Sequence, residues 1–343
     1  MLPIDTLSLT SLIGIFLIAA LFIGIFGVAM THVARKLAAD SGMGEALMGA
    51  LFIGASTSLA GIIASVTAAS NGHAGIAVSN ALGGIAVQTC FLAVADMFYR
   101  KANLEHASAS AENLMLGAFL IALLSINLVA FATPDLQTGW IHPASIILIV
   151  SYLFGVRLLS SMHTMPMWLP HRTRETRIEK GNQRRGKHRF NTALWLQFLA
   201  YTSVVGLAGW TISIAGMAIV AKTGLSEGLV GGVFIAVSTS LPELVIAITA
   251  VRLNSPTLAV GDIVGGNAFD TLFIAVSDIA YIEGSIYAHV SVVEEFWLAI
   301  SMLMTGIILM GLLHRERHGI INIGWESFLV FMLYIGSLLY IAM

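Results

Sequence analysis

From its first apolar run onward the chain alternates long hydrophobic stretches with short polar breaks. Ten stretches fall near 8–31, 44–70, 75–99, 113–133, 142–160, 192–220, 227–252, 257–281, 292–313 and 323–342. Each offers roughly the 20 residues a helix needs to cross a hydrocarbon core about 30 Å thick. A helix also satisfies its own backbone hydrogen bonds where no water reaches. The pattern predicts an all-α polytopic membrane protein with ten transmembrane helices. One break differs from the rest: 163–190 is long and basic, with Arg172, Arg174, Arg177, Lys180, Arg184, Arg185, Lys187 and Arg189 against Glu175 and Glu179. It leaves five helices in 1–162 and five in 191–343.

Charge decides which way the helices run. With the amino terminus outside, Arg35, Lys36, Arg100, Lys101, Arg157, the 172–189 run, Arg252, Arg315 and Arg317 all face the cytoplasm, and of the 17 basic residues Lys222 alone lies outside. The positive-inside rule asks for such a division, and one missed helix would have scrambled it. Both termini are therefore expected on the extracytoplasmic side, in the cell (inner) membrane. An odd number of helices per half turns the second half upside down, so the halves are expected to be inverted repeats. The basic run then needs no nucleic-acid partner; it reads as a linker and topology determinant beside lipid headgroups. At 57% hydrophobic and 10% charged residues, with mean hydropathy +0.88, the composition excludes an ordinary soluble domain. The first apolar run lacks a basic leader and is too long for a cleaved signal. Cys90 is the single cysteine, which rules out an intramolecular disulfide and argues against thiolate metal sites.

The halves resemble each other in sequence as well. Aligned without a gap at an offset of 182, 47–96 and 229–278 share 20 identities in 50 pairs, and Ser56-Thr57-Ser58-Leu59-Ala60-Gly61 returns as Ser238-Thr239-Ser240-Leu241-Pro242-Glu243. Repeats of this kind place a transporter's substrate where the halves meet. Most acidic residues lie in loops or near helix ends, but Glu243 and Asp270 fall near the middle of the seventh and eighth helices. A charge at that depth costs at least about 2.5 kcal/mol and marks a functional site unless it is neutralised. Thr239 and Ser240 share a helix face with Glu243. Pro242 has no amide hydrogen, so the Ser238 carbonyl loses its helical partner. Carboxylate, hydroxyl and free carbonyl oxygens are the hard ligands that calcium or sodium takes. Asp262 reads as a solvated interfacial acid, and Asp96 and Asp278 as interfacial or capping residues.

With these residues in view, Ser-Thr-Ser-Leu-Pro-Glu at 238–243 followed by Gly-Gly-Asn-Ala-Phe-Asp at 265–270 resembles the second alpha repeat of the sodium/calcium exchanger family, within the cation/calcium antiporters. The resemblance extends to ten helices, two inverted halves and a central loop. It implies that Thr239, Ser240, Glu243 and Asp270 surround the ions, with Thr57, Ser58, Gly61, Gly84 and Gln88 at the matching first-half positions. Here the chain departs from the pattern: Gly61 stands for the glutamate, Ala60 for the proline, Gly84 and Gly266 for serines, and Gln88 for Asn or Asp.

The expected activity is secondary active antiport of Ca2+ or another cation against Na+ or H+. Its cation site would comprise Glu243, Asp270, Thr239, Ser240, Thr57, Ser58 and Gln88, with water in the space that Gly61 opens. Two carboxylates match one divalent cation or two monovalent ones, which favours electroneutral exchange over three sodium ions per calcium. Protons compete with cations for crowded buried carboxylates, so proton coupling is compatible with this site. Sliding of the first helix (Gly14, Gly24, Gly27) and the sixth (Gly206, Gly209, Gly216) against the core would alternate access. No cofactor and no enzymatic activity are expected; the cations are cargo, the bilayer is the partner, and a monomer suffices. A channel and an intramembrane protease fit less well, since Gly261-Asp262 lacks the rest of the protease motif. A non-transporting ion sensor and a proton-coupled monovalent cation exchanger stay open as alternatives.

Overall fold

The computed structural model describes residues 7–41, 54–136, 139–164, 171, 191–317, 319 and 323–343. The basic run at 172–190 and the first part of the second expected helix lie outside the described residues. The helices are α1 Leu9–Ser41, α2 Gly54–Thr57, α3 Leu59–Ser70, α4 Ala74–Phe98, α5 Leu104–Ser108, α6 Ala111–Ala132, α7 Pro143–Thr164 and α8 Thr192–Thr223. After these come α9 Glu227–Leu229, a π-helical turn Val230–Ile235, α10 Ala236–Thr239, α11 Leu241–Arg252, α12 Pro256–Asp270, α13 Leu272–Ala280, a 3-10 turn Ile286–His289, α14 Val292–His314 and α15 Trp325–Ala342.

Among the described residues six of these helices, and α12 with α13 as a seventh span, are long and apolar enough to cross a membrane, and the bent pair Glu227–Thr239 with Leu241–Arg252 makes an eighth. The shorter apolar helices Leu59–Ser70 and Pro143–Leu159 coincide with the remaining two expected segments. Helix α4 is buried along nearly its whole length and forms the centre of the molecule. Around it, α1, α7 and α8 turn Leu17, Leu21, Ile146, Val150, Phe154, Leu199 and Leu207 outward. Apolar residues face outward there because the surrounding solvent is hydrocarbon, while the backbone polar groups stay paired inside each helix.

Small residues set how closely the helices approach, because apolar burial gives helices no drive to associate within lipid. A Cβ on Gly83 of α4 would stand 2.2 Å from the Gly232 carbonyl oxygen, so this crossing requires glycine. Helix α1 crosses the bend of the seventh span, where a Cβ on Gly27 would meet Pro242 Cγ at 2.5 Å. A Cβ on its repeat mate Gly209, 182 residues on in α8, would lie 2.6 Å from the Ala60 carbonyl oxygen, and Ala60 is the mate of Pro242. The pseudo-twofold relation thus reaches well beyond the sequence window in which it is detectable.

Loop contacts separate two faces. On the basic face Lys101 Nζ donates to Asn254 Oδ1 at 2.8 Å, Arg252 lies over the Phe98 ring, and Asn103 N–H donates to the Arg317 carbonyl. On the opposite face His73 Nδ1 meets Glu227 Oε1 at 2.5 Å and Trp140 Nε1 donates to the Ile279 carbonyl.

Asp96 and Asp278 mirror each other as well. Asp96 accepts from the Leu104 and Gly324 amides at 2.7 and 2.9 Å, while Asp278 accepts from the Ile286 and His142 amides, both at 2.8 Å. All three positions correspond at the offset of 182. Both acids are fully buried caps that tie the end of a core helix to the start of the last helix of a half; the interfacial alternative does not hold. Asp262 also departs from expectation, since it pairs with Arg35 of α1 rather than standing alone in solvent.

Candidate cation site at the helix breaks

The seventh span breaks at Ser240, whose φ −94° and ψ 5° lie in the sparsely occupied bridge region, and the two segments bend by 45°. Pro242 explains this break, since it cannot donate to the Ser238 carbonyl. The second span breaks at Ser58, with φ −85° and ψ 3°, although Ala60 stands where the proline would be. Packing of Gly209 onto the Ala60 backbone accompanies this proline-free break. Helices α2 and α10 therefore both end at the centre, and helix C-termini carry the partial negative charge that favours a cation.

At the breaks the residues singled out from the sequence come together. Ser58 Oγ donates to Asp270 Oδ1 at 2.5 Å, and Gln88 Nε2 donates to Asp270 Oδ2 at 2.6 Å. Gln88 Nε2 also reaches Ser240 Oγ at 3.2 Å. Glu243, in the first turn of α11, feels the charge of Asp270 and accepts a hydrogen bond from the Thr57 side chain. Glu243 is 5% exposed and Asp270 1%, so neither carboxylate reaches the solvent in this conformation. Glu243 Oε2 and Gln88 Oε1 have no hydrogen-bond partner, which leaves two oxygens turned into a buried cluster that could accept a cation. Thr239 stands on the flank: its hydroxyl donates to the Ile235 carbonyl at 3.0 Å and lies 3.5 Å from Asn80 Oδ1.

One expectation fails here. The space beside Gly61 is filled by Phe273, whose Cε2 would lie 2.6 Å from a Cβ added to the glycine. An aromatic ring, rather than water, occupies the place of the missing glutamate. The openings at Gly84 and Gly266 are real, since a Cβ there would meet only Ser240 Oγ at 4.0 Å and Gln88 Oε1 at 3.6 Å. Among the described residues no three of His, Cys, Asp and Glu form a preassembled metal cage, so carbonyls, hydroxyls and the amide must supply the other ligands.

Three residues are added by the structure. Asn80 donates to the Gly61 carbonyl at 3.0 Å and to Ser65 Oγ at 2.8 Å, bracing α3 against α4. Asn267 donates to Thr89 Oγ1 at 2.9 Å and keeps its Oδ1 unpartnered. Phe273 is the third. Asn80 was visible in the sequence as the mate of Asp262, within Ala77-Val78-Ser79-Asn80 against Ala259-Val260-Gly261-Asp262. Nothing in the sequence announced the placement of Phe273.

Comparison with known proteins is consistent with this geometry. The family model described as sodium/calcium exchanger protein matches residues 11–160 and 192–343. No curated protein matches the chain in a direct sequence search. Among solved structures, the sodium-calcium exchanger NCX_Mj superposes with a TM-score of 0.60 at 17% identity over 96% of this chain and 98% of that one. The H+/Ca2+ exchanger CAX gives 0.66 at 17% identity over 96% of this chain and 82% of that one. Native YfkE gives 0.63 at 17% identity over 95% and 91%. Likeness at this level of identity carries the fold, that of membrane transporters with ten helices. The family model spans both halves and leaves out the basic linker between them, so the chain belongs to the sodium/calcium exchanger family.

Proposed function

We propose that this chain is a secondary active antiporter that exchanges one divalent cation, calcium in the first instance, for two protons or two sodium ions. The observation that carries this reading is the pair Glu243 and Asp270, buried together at the helix breaks and faced by Thr57, Ser58 and Gln88 of the other half. Two carboxylates balance one divalent charge, and the neutral amide of Gln88 stands where a third acid would alter that balance. Cations and protons compete for the same oxygens, so the cation leaves when the pair is protonated or when sodium replaces it. Helices α1 and α8 rest on the two breaks through Gly27 and Gly209, which suits them to slide across the core and open the site to one face at a time. The basic face is assigned to the cytoplasm and both termini to the outside of the cell membrane.

A counter-ion panel in proteoliposomes tests this. Vesicles loaded with protons, sodium or potassium are given radioactive calcium, manganese or sodium outside. Saturable calcium uptake driven by an outward proton or sodium gradient, insensitive to an imposed membrane potential, is expected. Glu243→Gln and Asp270→Asn should each abolish it while retaining the wild-type elution profile. Wild-type flux in either variant would refute the site. The ring of Phe273 beside Gly61 favours a second reading, ion binding without transport, for which the same panel gives calcium binding and no counter-ion-dependent flux.

A further inference from the structure

The two capping aspartates are equivalent, but their surroundings are not. Around Asp278, Tyr287 fills the space with a buried ring, its hydroxyl 3.5 Å from Ser145 Oγ and 3.2 Å from Asn127 Oδ1, and Ala144 lies beside Ser145. At the matching positions around Asp96 stand Glu105 for Tyr287, Glu326 for Ala144 and Ser327 for Ser145. An aromatic ring and a methyl group have become two carboxyl groups. Glu105 is 2% exposed and Glu326 1%, as buried as any core residue.

Their oxygens are largely unsatisfied. Ser327 Oγ donates to Glu105 Oε1 at 2.7 Å, whereas Glu105 Oε2 and both Glu326 oxygens have no hydrogen-bond partner. Glycines make the room. A Cβ on Gly324 would lie 3.0 Å from Glu105 Oε2, 3.0 Å from Glu326 Oε2 and 3.5 Å from Asn103 Nδ2, so the two carboxylate oxygens and one amide nitrogen, none of them hydrogen-bonded, flank one small space that any larger residue would fill. A Cβ on Gly311 would meet Glu326 Cγ at 2.6 Å and Glu105 Cγ at 3.0 Å. No ion pair to either carboxylate occurs among the described residues, and the nearby Arg315 guanidinium turns to the His171 and His106 carbonyls instead. Burial, and then the Asp96 carboxylate, push the Glu105 carboxyl above its ordinary range.

We propose that Glu105 and Glu326, on the basic face and apart from the helix breaks, form a second site for a hard divalent cation. Unpartnered carboxylate oxygens that converge on a glycine-lined space are the ligands such an ion takes. An uncompensated buried acid pair without one is costly. Backbone oxygens and water complete the shell, and Asp96, its own oxygens engaged by the Leu104 and Gly324 amides, adds negative charge behind them. An ion here would bind the start of α15 to α5, in the cap that holds the second half against the first.

The test is calcium-binding stoichiometry on purified full-length protein, by equilibrium dialysis with radioactive calcium. Wild type, Glu105→Gln/Glu326→Gln, Glu243→Gln/Asp270→Asn and the combined variant are compared. The Glu105/Glu326 change is expected to remove one bound equivalent from wild type and from the Glu243/Asp270 variant alike. Unchanged stoichiometry in both backgrounds would overturn the second site, whatever becomes of the first. Should the double variant not elute as a single species, Glu326→Ala, which copies Ala144, carries the same expectation and the same refutation.

Discussion

Replacing Gly61 by glutamate would restore to the first half the carboxylate that Glu243 supplies to the second. The structure indicates why this change alone does not rebuild a symmetric site. The new Cβ would lie 2.6 Å from Phe273 Cε2 and 3.1 Å from Cζ. Carbon atoms prefer about 3.5–4.0 Å, so the ring must retreat by roughly 1 Å. It is 3% exposed and edge-on to Phe269 at 6.3 Å between centroids, which leaves it nowhere to go. Overpacking of this kind costs about 1–3 kcal/mol. Truncation by Phe273→Ala costs about 3–5 kcal/mol for the cavity it leaves. Each change relieves the other, so the double variant should be more stable than the sum of the singles by about 1–3 kcal/mol. Thermal melts of the four proteins in detergent measure this coupling, and uptake under an imposed potential measures the functional half. A third carboxylate should make calcium uptake by Gly61→Glu/Phe273→Ala sensitive to the potential. If Gly61→Glu melts like wild type, or if the two costs simply add, the ring does not occupy the place of the glutamate.

Other expectations concern parts of the molecule away from the acid pair. Gly27→Leu and Gly209→Leu, which push side chains into Pro242 and the Ala60 backbone, should slow uptake at least tenfold while calcium binding persists; unimpaired uptake would remove α1 and α8 from the moving parts. Asp96→Asn and Asp278→Asn each leave one of two buried amides facing an amide nitrogen, which should destabilise the protein by about 1–3 kcal/mol in thermal melts. A melt unchanged from wild type would show that the caps are dispensable. Arg35→Gln breaks the pair with Asp262, a part-exposed contact worth about 0–1 kcal/mol, so the melting temperature should hardly move. Uptake kinetics should nonetheless change, because the pair joins α1 to α12, and identical kinetics would reduce the contact to a surface feature.

The sequence made the acid pair legible because depth and charge are properties of a single helix. Glu243 and Asp270 fall at mid-span, and hydrocarbon makes any charge there conspicuous. Gln88 was legible as a repeat mate. Asp96 and Asp278 were only half legible: each lies near a helix end, where a loop carboxylate and a buried cap look alike, and the partner amides at Gly324 and His142 are distant in the chain. Phe273 was not legible, since an apolar residue in an apolar helix carries no local sign of which neighbour it touches. The break at Ser58 belongs to the same class, for no proline announces it.

Alone, the sequence determined that the chain is an all-α polytopic membrane protein with an internal repeat, and it singled out two acids at mid-span. Length, charge bias and repeat spacing act locally or by simple translation along the chain, so reading them requires no coordinates. Tertiary structure decided how unequal the halves become. Packing placed a ring beside Gly61, accompanied a helix break at Ser58 without proline, and set Glu105 and Glu326 beside one space where the other half has a tyrosine and an alanine. Such differences arise from which surfaces meet after the chain has crossed the membrane many times, and a linear pattern does not encode that meeting residue by residue.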